Sequence, residues 1–229
     1  MKAEKIFLLF GASGDLGKAA AQFFLNEQYD KYYFFARHKL ESIEGNKNIK
    51  TAIVDDLSNE ENVKTAFSKV DKNLDAKYFL FNTVGGFFGG KNISETEYKD
   101  WQKMLNINLN SSFLVSKYFM QLVSGTKGGS ICFVSAYSSF KPEANKAAYN
   151  VSKNALNFLV KTLALEGKEF GISANAVAPL IIDTPANREW VKNLSQMVSP
   201  NDICEIVSSL FKNYNTVTGN IIELPETLS

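Results

Sequence analysis

The chain contains few of the residues on which several protein classes depend. Among its 229 residues are two cysteines, Cys132 and Cys204, and one histidine, His38. Two thiols are too few for a disulfide scaffold and form no metal-like cluster, and a single histidine disfavours a histidine-based catalytic triad. We therefore expect a protein of a reducing compartment that holds no metal ion.

Excess charge and long apolar runs are also missing. The 25 basic and 24 acidic residues leave a net charge of +1, which favours neither a nucleic acid nor a membrane surface as a partner. No apolar run approaches the roughly 20 residues that span a bilayer. The first apolar run, residues 6–10, leads straight into a glycine-rich loop, so we interpret it as a strand and not a signal peptide, and expect a cytoplasmic protein.

Short apolar runs alternate with helical patterns along the whole chain. This alternation predicts an α/β fold with a doubly wound parallel sheet of about seven strands and helices on both faces. The expected strands are residues 6–10, 32–36, 49–54, 78–82, 130–134, 173–177 and 220–224, and the expected helices are 18–26, 59–70, 101–123 and 148–169. Because no linker or repeat interrupts the pattern, we expect residues 1–229 to form a single catalytic domain.

A glycine-rich loop, Gly11-Ala-Ser-Gly14-Asp-Leu-Gly17, joins the first predicted strand to the first predicted helix. In a doubly wound sheet this turn lies at the carboxyl edge, where dinucleotides bind. Glycines allow the tight turn and let backbone N–H groups approach a pyrophosphate. The pattern alone is weak, and a turn without a ligand is the alternative, but its position between strand and helix favours a cofactor site.

The residues that end the second predicted strand bear on which cofactor is used. An acidic side chain there would accept hydrogen bonds from the adenosine ribose and favour NAD. Ala36 carries no carboxylate, and the guanidinium of Arg37, which follows, suits a phosphate. We therefore expect NADP(H) in preference to NAD(H). The alternative is that Arg37 is a solvated loop charge, and His38 is interpreted as its surface neighbour.

The spacing Tyr-x-x-x-Lys occurs twice, at Tyr137–Lys141 and at Tyr149–Lys153. Lys141 precedes Pro142, which disfavours helical geometry, whereas Tyr149 and Lys153 open a predicted helix and share one face of it. An ammonium close to a phenol lowers the phenol pKa from about 10, so that the tyrosine can exchange a proton with a carbonyl or alcohol oxygen. An ordinary tyrosine packed under a lysine is the alternative.

Together these features resemble the short-chain dehydrogenase/reductase family, over nearly the whole chain. Further matching motifs are Asp56-Leu57, Asn82-Thr-Val-Gly85, Asn108 and Pro179-Leu-Ile-Ile-Asp-Thr184. The chain departs from the family pattern at Phe10 and Leu180, where threonine and glycine are usual. The resemblance implies a Rossmann-type fold and cofactor contacts from Gly11, Ser13, Gly14, Asp15, Leu16, Gly17, Arg37, Asp56, Leu57, Asn82, Val84, Gly85, Tyr149, Lys153, Pro179 and Thr184.

The family's substrate-binding serine is the main departure, since Ala136 stands thirteen residues before Tyr149 where most members have it. Ser135 is one residue away and by strand alternation points elsewhere, whereas Ser138 lies further along the loop and could reach inward. The chain is similar here to the serine-lacking subset typified by dihydropteridine reductase. Arg37 disagrees with an NADH-using pteridine reductase, so the substrate is not named.

The resemblance implies an NADP(H)-dependent oxidoreductase that transfers hydride between nicotinamide and a carbonyl, imine-like or quinonoid substrate. Tyr149 would be the proton donor or acceptor, Lys153 would lower its pKa and hold the nicotinamide ribose, and Asn108 would support a proton relay. The alternatives are a catalytically weak NADP(H)-binding sensor or scaffold, and an acyl-thioester ketoreductase.

Aromatic residues near the expected nicotinamide site favour an apolar or planar small-molecule substrate. They are Phe87, Phe88, Tyr137, Phe140 and Trp190. The family is usually oligomeric through its two long helices, which implies a homodimer or homotetramer here.

Overall fold

A central sheet of seven parallel strands organises the computed structural model, which describes residues 3–40 and 48–225. Its strands are β1 (Glu4–Phe10), β2 (Lys31–Ala36), β3 (Ile49–Ile53), β4 (Ala76–Asn82), β5 (Gly129–Val134), β6 (Ile172–Pro179) and β9 (Ile221–Leu224). Their order is β3-β2-β1-β4-β5-β6-β9. The order reverses between β1 and β4, and the crevice at such a switch point is where dinucleotides bind in sheets of this kind. A short parallel pair, β7 (Ile181–Ile182) with β8 (Met197–Val198), lies outside this sheet.

Helices cover both faces of the sheet. They are α1 (Asp15–Leu25), α2 (Glu60–Ser68), α3 (Tyr98–Leu105), α4 (Ser111–Val123), α5 (Ala147–Glu166), α6 (Pro185–Arg188) and α7 (Pro200–Lys212). The helices α2, α4 and α5 pack on one face, and α1 and α7 pack on the other. The predicted Rossmann-type α/β fold is therefore confirmed. Within the described residues, no helix is both long and apolar enough to cross a membrane.

The first strand shows why the sheet is buried on both sides. Five consecutive residues, 6–10, have no exposed surface. Ile6, Leu8 and Phe10 enter one core layer, and Phe7 and Leu9 enter the other. Because side chains alternate along a strand, a continuous apolar run supplies both layers at once.

The predicted strands agree with the structure to within two residues, and the helix ends differ more. Helix α1 begins at Asp15, earlier than expected, because the glycine loop already forms its first turn. The helix expected over 101–123 consists of α3, a π-helical turn at Asn106–Asn110, and α4. Helix α5 ends at Glu166, and a 3₁₀ turn continues it to Phe170.

Helix α7 was not predicted, although the sequence contains signals for it. Ser199 accepts a hydrogen bond from the Asp202 amide at 3.2 Å, and Pro200 occupies the first helical position. Both are typical of a helix start. Its buried residues include Ile203, Val207 and Leu210, which recur at helical spacing.

Candidate active site

A cavity of about 310 Å³ lies beside the switch point, where the glycine loop meets the carboxyl ends of β2, β3 and β4. We call it the nucleotide cavity. Its lining includes Gly11, Ser13, Gly14, Arg37, His38, Asp56, Leu57, Thr83, Val84 and Gly85. Most of the residues expected to contact a cofactor at this edge therefore surround one cavity.

The glycine loop depends on two positions, Gly11 and Gly17, where there is no room for a side chain. Gly11 has φ of +85°, and a Cβ atom there would lie 2.6 Å from Thr83 Oγ1. A Cβ atom on Gly17 would lie 2.0 Å from the Gly11 carbonyl oxygen. Gly14 precedes α1 and offers no capping side chain, so the first-turn N–H groups keep no side-chain acceptor. Together with the helix dipole, such N–H groups fit the pyrophosphate of a dinucleotide.

Arg37 and His38 are exposed at the edge of the nucleotide cavity, directly after β2. No ion pair joins Arg37 to a residue within 3–40 or 48–225. Ala36 is buried and supplies no acceptor for a ribose. A guanidinium without a carboxylate partner fits a phosphate group.

Among the expected cofactor residues of the glycine loop and of the ends of β2, β3 and β4, four do not line the nucleotide cavity: Asp15, Leu16, Gly17 and Asn82. Leu16 is buried in the core, and Gly17 packs against Gly11. Asn82 is buried, and its side-chain oxygen accepts a hydrogen bond from the Val84 amide at 3.2 Å. Leu16, Gly17 and Asn82 therefore shape the surrounding backbone, while Asp15 presents its amide at the helix start.

A second cavity, of about 820 Å³, adjoins the first, because Thr83 and Gly85 line both. We call it the substrate cavity. Tyr149 and Lys153 both line it from the first turns of α5, as their spacing predicts. Its other lining residues include Gly86, Phe87, Ser135, Ser138, Glu143, Lys146, Pro179, Leu180, Ile181, Ile182, Asn187 and Trp190.

Lys153 is the most buried cation of this cavity, with 3% of its surface exposed. Its ammonium donates a hydrogen bond to the Val134 carbonyl at 2.8 Å. A Cβ atom on Gly85 would lie 2.9 Å from Lys153 Nζ and 3.2 Å from Asn108 Oδ1, so a larger residue there would displace the lysine ammonium. Burial lowers the pKa of Lys153 to about 8.

The pKa of Tyr149 moves opposite to the expected direction. Burial, with a smaller contribution from the negative charge of Glu143, raises the pKa of Tyr149 to about 12. Lys153 was expected to lower it. That expectation is wrong for this structure, because the effect of burial on the phenol dominates and Lys153 directs its ammonium at the Val134 carbonyl. Tyr149 is therefore held in its protonated form at neutral pH.

Asn108 lies in the π-helical turn between α3 and α4, a rare feature that is frequent at functional sites. Its amide binds both backbone groups of Gly86, at 2.9 and 3.0 Å, and donates to Ser152 Oγ at 3.0 Å. Ser152 Oγ in turn donates to the Tyr149 carbonyl at 2.7 Å. Asn108 thus joins the glycine turn after β4 to the helix that carries Tyr149.

The three positions considered for the serine differ in where they point. Ala136 is buried and has no hydroxyl. Ser135 Oγ donates to Asn157 Oδ1 on α5 and is 3% exposed, so its hydroxyl is already engaged. Ser138 Oγ donates to Asn150 Oδ1 at 2.9 Å, and Ser138 lines the substrate cavity beside Tyr149.

The segment after β6 contributes less than its motif indicates. Pro179 lines the substrate cavity, but Thr184 lines neither cavity and instead caps α6, accepting from the Asn187 amide at 3.3 Å. The residues Ile181, Ile182 and Trp190 reach the cavity from the same segment.

Two of the five aromatic residues expected near the nicotinamide line the substrate cavity. Trp190 is one, and Phe87 packs edge-to-face on the Tyr149 ring, 5.0 Å between centroids. Phe88, Tyr137 and Phe140 do not line it. Tyr137 instead lies under the Lys141 ammonium, 5.6 Å from its ring centroid, and begins a single 3₁₀ turn.

Sequence reasoning missed the polar residues at the mouth of the substrate cavity. Glu143 and Lys146 form an ion pair at 2.5 Å, and Asn187 lies on α6. No local pattern marks them, because their loops meet only in the folded chain. Within the described ranges, no group of His, Cys, Asp and Glu side chains could hold a metal ion.

A dinucleotide-binding edge of the sheet lies beside a half-buried tyrosine and a buried lysine, and this arrangement defines the class of an oxidoreductase that uses a nicotinamide cofactor. The family model described as short chain dehydrogenase matches residues 5–195. The chain therefore belongs to the short-chain dehydrogenase/reductase family, and it is an NAD(P)-dependent enzyme that transfers hydride.

Curated relatives agree with this family, and a solved structure agrees with the fold. Dehydrogenase/reductase SDR family member 6 from Aquarana catesbeiana is 32% identical over 190 residues, covering 82% of this chain and 75% of the relative. Galactitol 2-dehydrogenase from Rhizobium johnstonii is 32% identical over 161 residues, covering 63% and 62%. The solved structure "ElxO with NADP Bound" has a TM-score of 0.86 at 24% identity, covering 96% of this chain and 97% of that one, and shares its fold.

Proposed function

We propose that this enzyme is an NADP(H)-dependent reductase of a carbonyl, imine-like or quinonoid group, with Tyr149 as the proton donor. One observation carries the proposal: Tyr149 and Lys153 line an apolar cavity that shares Thr83 and Gly85 with the nucleotide cavity. A proton donor thus lies where a substrate would meet the reactive end of a cofactor.

The cofactor, when bound, supplies a hydride with its electron pair to the substrate carbon. Tyr149 then gives its phenolic proton to the substrate oxygen or nitrogen, which becomes a hydroxyl or amine. Because burial raises the pKa of Tyr149 to about 12, the proton needed for reduction is present at neutral pH. In the opposite direction the same tyrosine would accept the proton as a phenolate.

The remaining site residues would bind and orient the cofactor or assist Tyr149. The backbone of Gly11 to Gly17 would hold the pyrophosphate, and Arg37 would hold the adenosine phosphate of NADP(H). Lys153 would hold the nicotinamide ribose, and Asn108 would support proton return to Tyr149. Asp56 has a serine-bonded carboxylate at the cavity edge, where it would meet the adenine.

The substrate cavity supports an apolar, planar small molecule. Its walls include Phe87, Leu180, Ile181, Ile182 and Trp190. A thioester ketoreductase would be favoured by a free basic patch at the mouth, but the charge of Lys146 there is offset by Glu143.

Assembly into a homodimer or homotetramer through α4 and α5 is part of the proposal. Val151, Phe158 and Leu165 form a stripe at seven-residue spacing on α5, and all three are exposed, as is Phe113 on α4. Exposed apolar stripes of this kind favour a partner surface.

The test is Tyr149→Phe, assayed with NADPH and a panel of carbonyl, imine and quinonoid compounds that includes phenanthrenequinone. Loss of a positioned acid should lower kcat by roughly 10²–10⁴ while NADPH binding, followed by fluorescence, is retained. Tyr137→Phe is the matched control, since Tyr137 belongs to the other Tyr-x-x-x-Lys segment and lines neither cavity. Full turnover by Tyr149→Phe would exclude the assignment. Tight NADPH binding by the wild type without turnover across the panel would favour the sensor.

A further inference from the structure

The loop after β5 carries three serines, and two of them have hydroxyls committed to structure. Ser135 Oγ donates to Asn157 on α5. Ser139 is buried, and its hydroxyl donates to the Ala136 carbonyl at 2.6 Å while accepting from Asn157 Nδ2 at 2.8 Å. Ser138 lines the substrate cavity, as Ser135 does, but it is only partly buried, and its hydroxyl contacts a single side chain, that of Asn150.

A ladder of asparagines on one face of α5 holds this loop. Asn150 binds Ser138 Oγ at 2.9 Å, Asn154 donates to the Ser139 carbonyl at 3.0 Å, and Asn157 binds the hydroxyls of Ser135 and Ser139. Residues four and three apart share a helix face, so one side of α5 fixes the loop at three successive turns. The position of Ser138 relative to Tyr149 is therefore set by α5 itself.

The amide of Asn150 is only half satisfied. Its Oδ1 accepts from Ser138, whereas its Nδ2 is buried and has no hydrogen-bond partner in the described part of the chain. A half-turn of the amide would bring Nδ2 to Ser138 Oγ. Buried carbonyl oxygens tolerate a missing partner better than buried N–H groups do, so this orientation is accessible.

The two amide orientations give Ser138 opposite properties. With Oδ1 facing the serine, the hydroxyl proton is held by Asn150. With Nδ2 facing it, the hydroxyl accepts from Asn150, and its own proton is free to point into the substrate cavity. A serine in the second state can donate a hydrogen bond to a substrate oxygen as that oxygen gains charge.

We infer that Ser138 donates the hydrogen bond to the substrate oxygen that Ala136 cannot make, and that Asn150 is the positioning residue that frees its proton. The inference rests on the proposed reductase function and names the group that binds the reacting oxygen. Tyr149 supplies the proton, while Ser138 keeps its own and stabilises the developing charge.

The experiment compares Ser138→Ala, Asn150→Asp and the double variant, with NADPH and phenanthrenequinone, a planar apolar dicarbonyl. The ionised carboxylate introduced by Asn150→Asp would accept from Ser138 more strongly but could not donate to it, so it preserves a structural link and abolishes the proposed one. We expect each single variant to lose roughly 10²-fold in kcat, with NADPH affinity retained. The double variant should lose no more than either single variant, because both remove the same hydrogen bond.

The pH profile gives a readout that a structural role would not change. At low pH the new carboxyl is protonated and can donate, so activity of Asn150→Asp should recover relative to the wild type. Asn154→Ala is the matched control, because it loosens the same loop one helical turn away without touching Ser138. The kcat of Asn154→Ala should fall far less than the kcat of Ser138→Ala.

Wild-type kcat in Ser138→Ala would overturn the inference, as would full activity in Asn150→Asp at neutral pH. Independent losses that multiply in the double variant would also overturn it, since they would show that the added charge acts by itself. Ser138→Ala is a small change on a loop, so it tests the inference even where Asn150→Asp does not fold. If Tyr149→Phe is inactive while Ser138→Ala is active, the reductase function stands and this inference fails. A wild type that turns over no compound of the panel contradicts both.

Discussion

The nucleotide cavity and the substrate cavity share Thr83 and Gly85 but are built from different parts of the chain. The nucleotide cavity depends on backbone shape, with Gly11 and Gly17 in positions where a Cβ atom would collide with neighbouring atoms. The substrate cavity depends on side chains from the β4, β5, α5 and β6 segments. Tolerance to substitution should therefore differ between the two.

The largest effect is expected where the backbone is closest, at Gly17→Ala. The added Cβ atom would lie 2.0 Å from the Gly11 carbonyl oxygen and 2.9 Å from the Ala12 Cα atom, so the loop must move away from α1. Forcing atoms into a packed site costs about 1–3 kcal/mol, and more when the obstacle is backbone. We expect a lower free energy of unfolding by denaturant titration, and loss of NADPH binding.

Gly14→Ala is the matched control for that substitution. A Cβ atom there would meet only the Gly11 carbonyl oxygen, at 3.5 Å, an ordinary contact distance. Its stability should stay within about 1 kcal/mol of the wild type. If both variants were equally stable, close packing would not explain the glycine spacing of this loop.

On the substrate side, Lys153→Met should alter how stability depends on pH. Burial lowers the pKa of Lys153 from 10.5 to about 8, so below pH 8 folding carries the full penalty of burying the ammonium. As pH rises from about 8 to 10.5, the unfolded chain binds more protons than the folded chain, and wild-type stability rises. The difference between wild type and Lys153→Met should therefore shift by about 3 kcal/mol across this range, in favour of the wild type.

Denaturant titrations of both proteins at several pH values measure that shift. The hydrogen bond to Val134 is lost in the variant at every pH, so it does not contribute to the change of the difference with pH. Lys161→Met, at an exposed position of the same helix, should show no comparable shift. A pH-independent difference between wild type and Lys153→Met would mean that the pKa of Lys153 is not lowered and that the lysine stays charged in the folded protein throughout this range.

The difference between a cavity built from backbone and one built from side chains also explains which features the sequence could predict. A glycine that must accept a close backbone approach leaves a local pattern, so the loop at Gly11–Gly17 and the adjoining strand and helix were predicted together. Tyr149 and Lys153 were also predictable, because both lie on one helix at fixed spacing. The direction of the Tyr149 pKa was not, since it depends on burial and on Glu143, which reaches the cavity from a separate loop.

The three asparagines of α5 show most clearly what could not be predicted from the sequence. The sequence gives no sign that these asparagines differ from ordinary polar positions of a helix: Asn150, Asn154 and Asn157. Only the folded loop brings Ser138 and Ser139 into contact with them. Thr184 gives the reverse case, because its motif is present but its hydroxyl serves as a helix cap. Side-chain partners that are distant in sequence determine both outcomes.

The smallest effect is expected at Arg37, which touches the nucleotide cavity through a single exposed side chain. Because no described residue pairs with its guanidinium, Arg37→Ala should remove the proposed phosphate ligand and leave the loop intact. We expect NADPH affinity to fall about tenfold, which is about 1.4 kcal/mol, with NADH affinity nearly unchanged. Fluorescence titration of both cofactors measures these affinities. Added salt should reduce the preference of the wild type for NADPH, because the contact is exposed.

Arg37→Lys keeps the positive charge and should retain part of the preference for NADPH. Comparing it with Arg37→Ala shows how much of the preference is due to charge and how much to the geometry of the guanidinium. Equal losses for both cofactors, or none, would show that selectivity lies in the backbone of the cavity and not in this side chain.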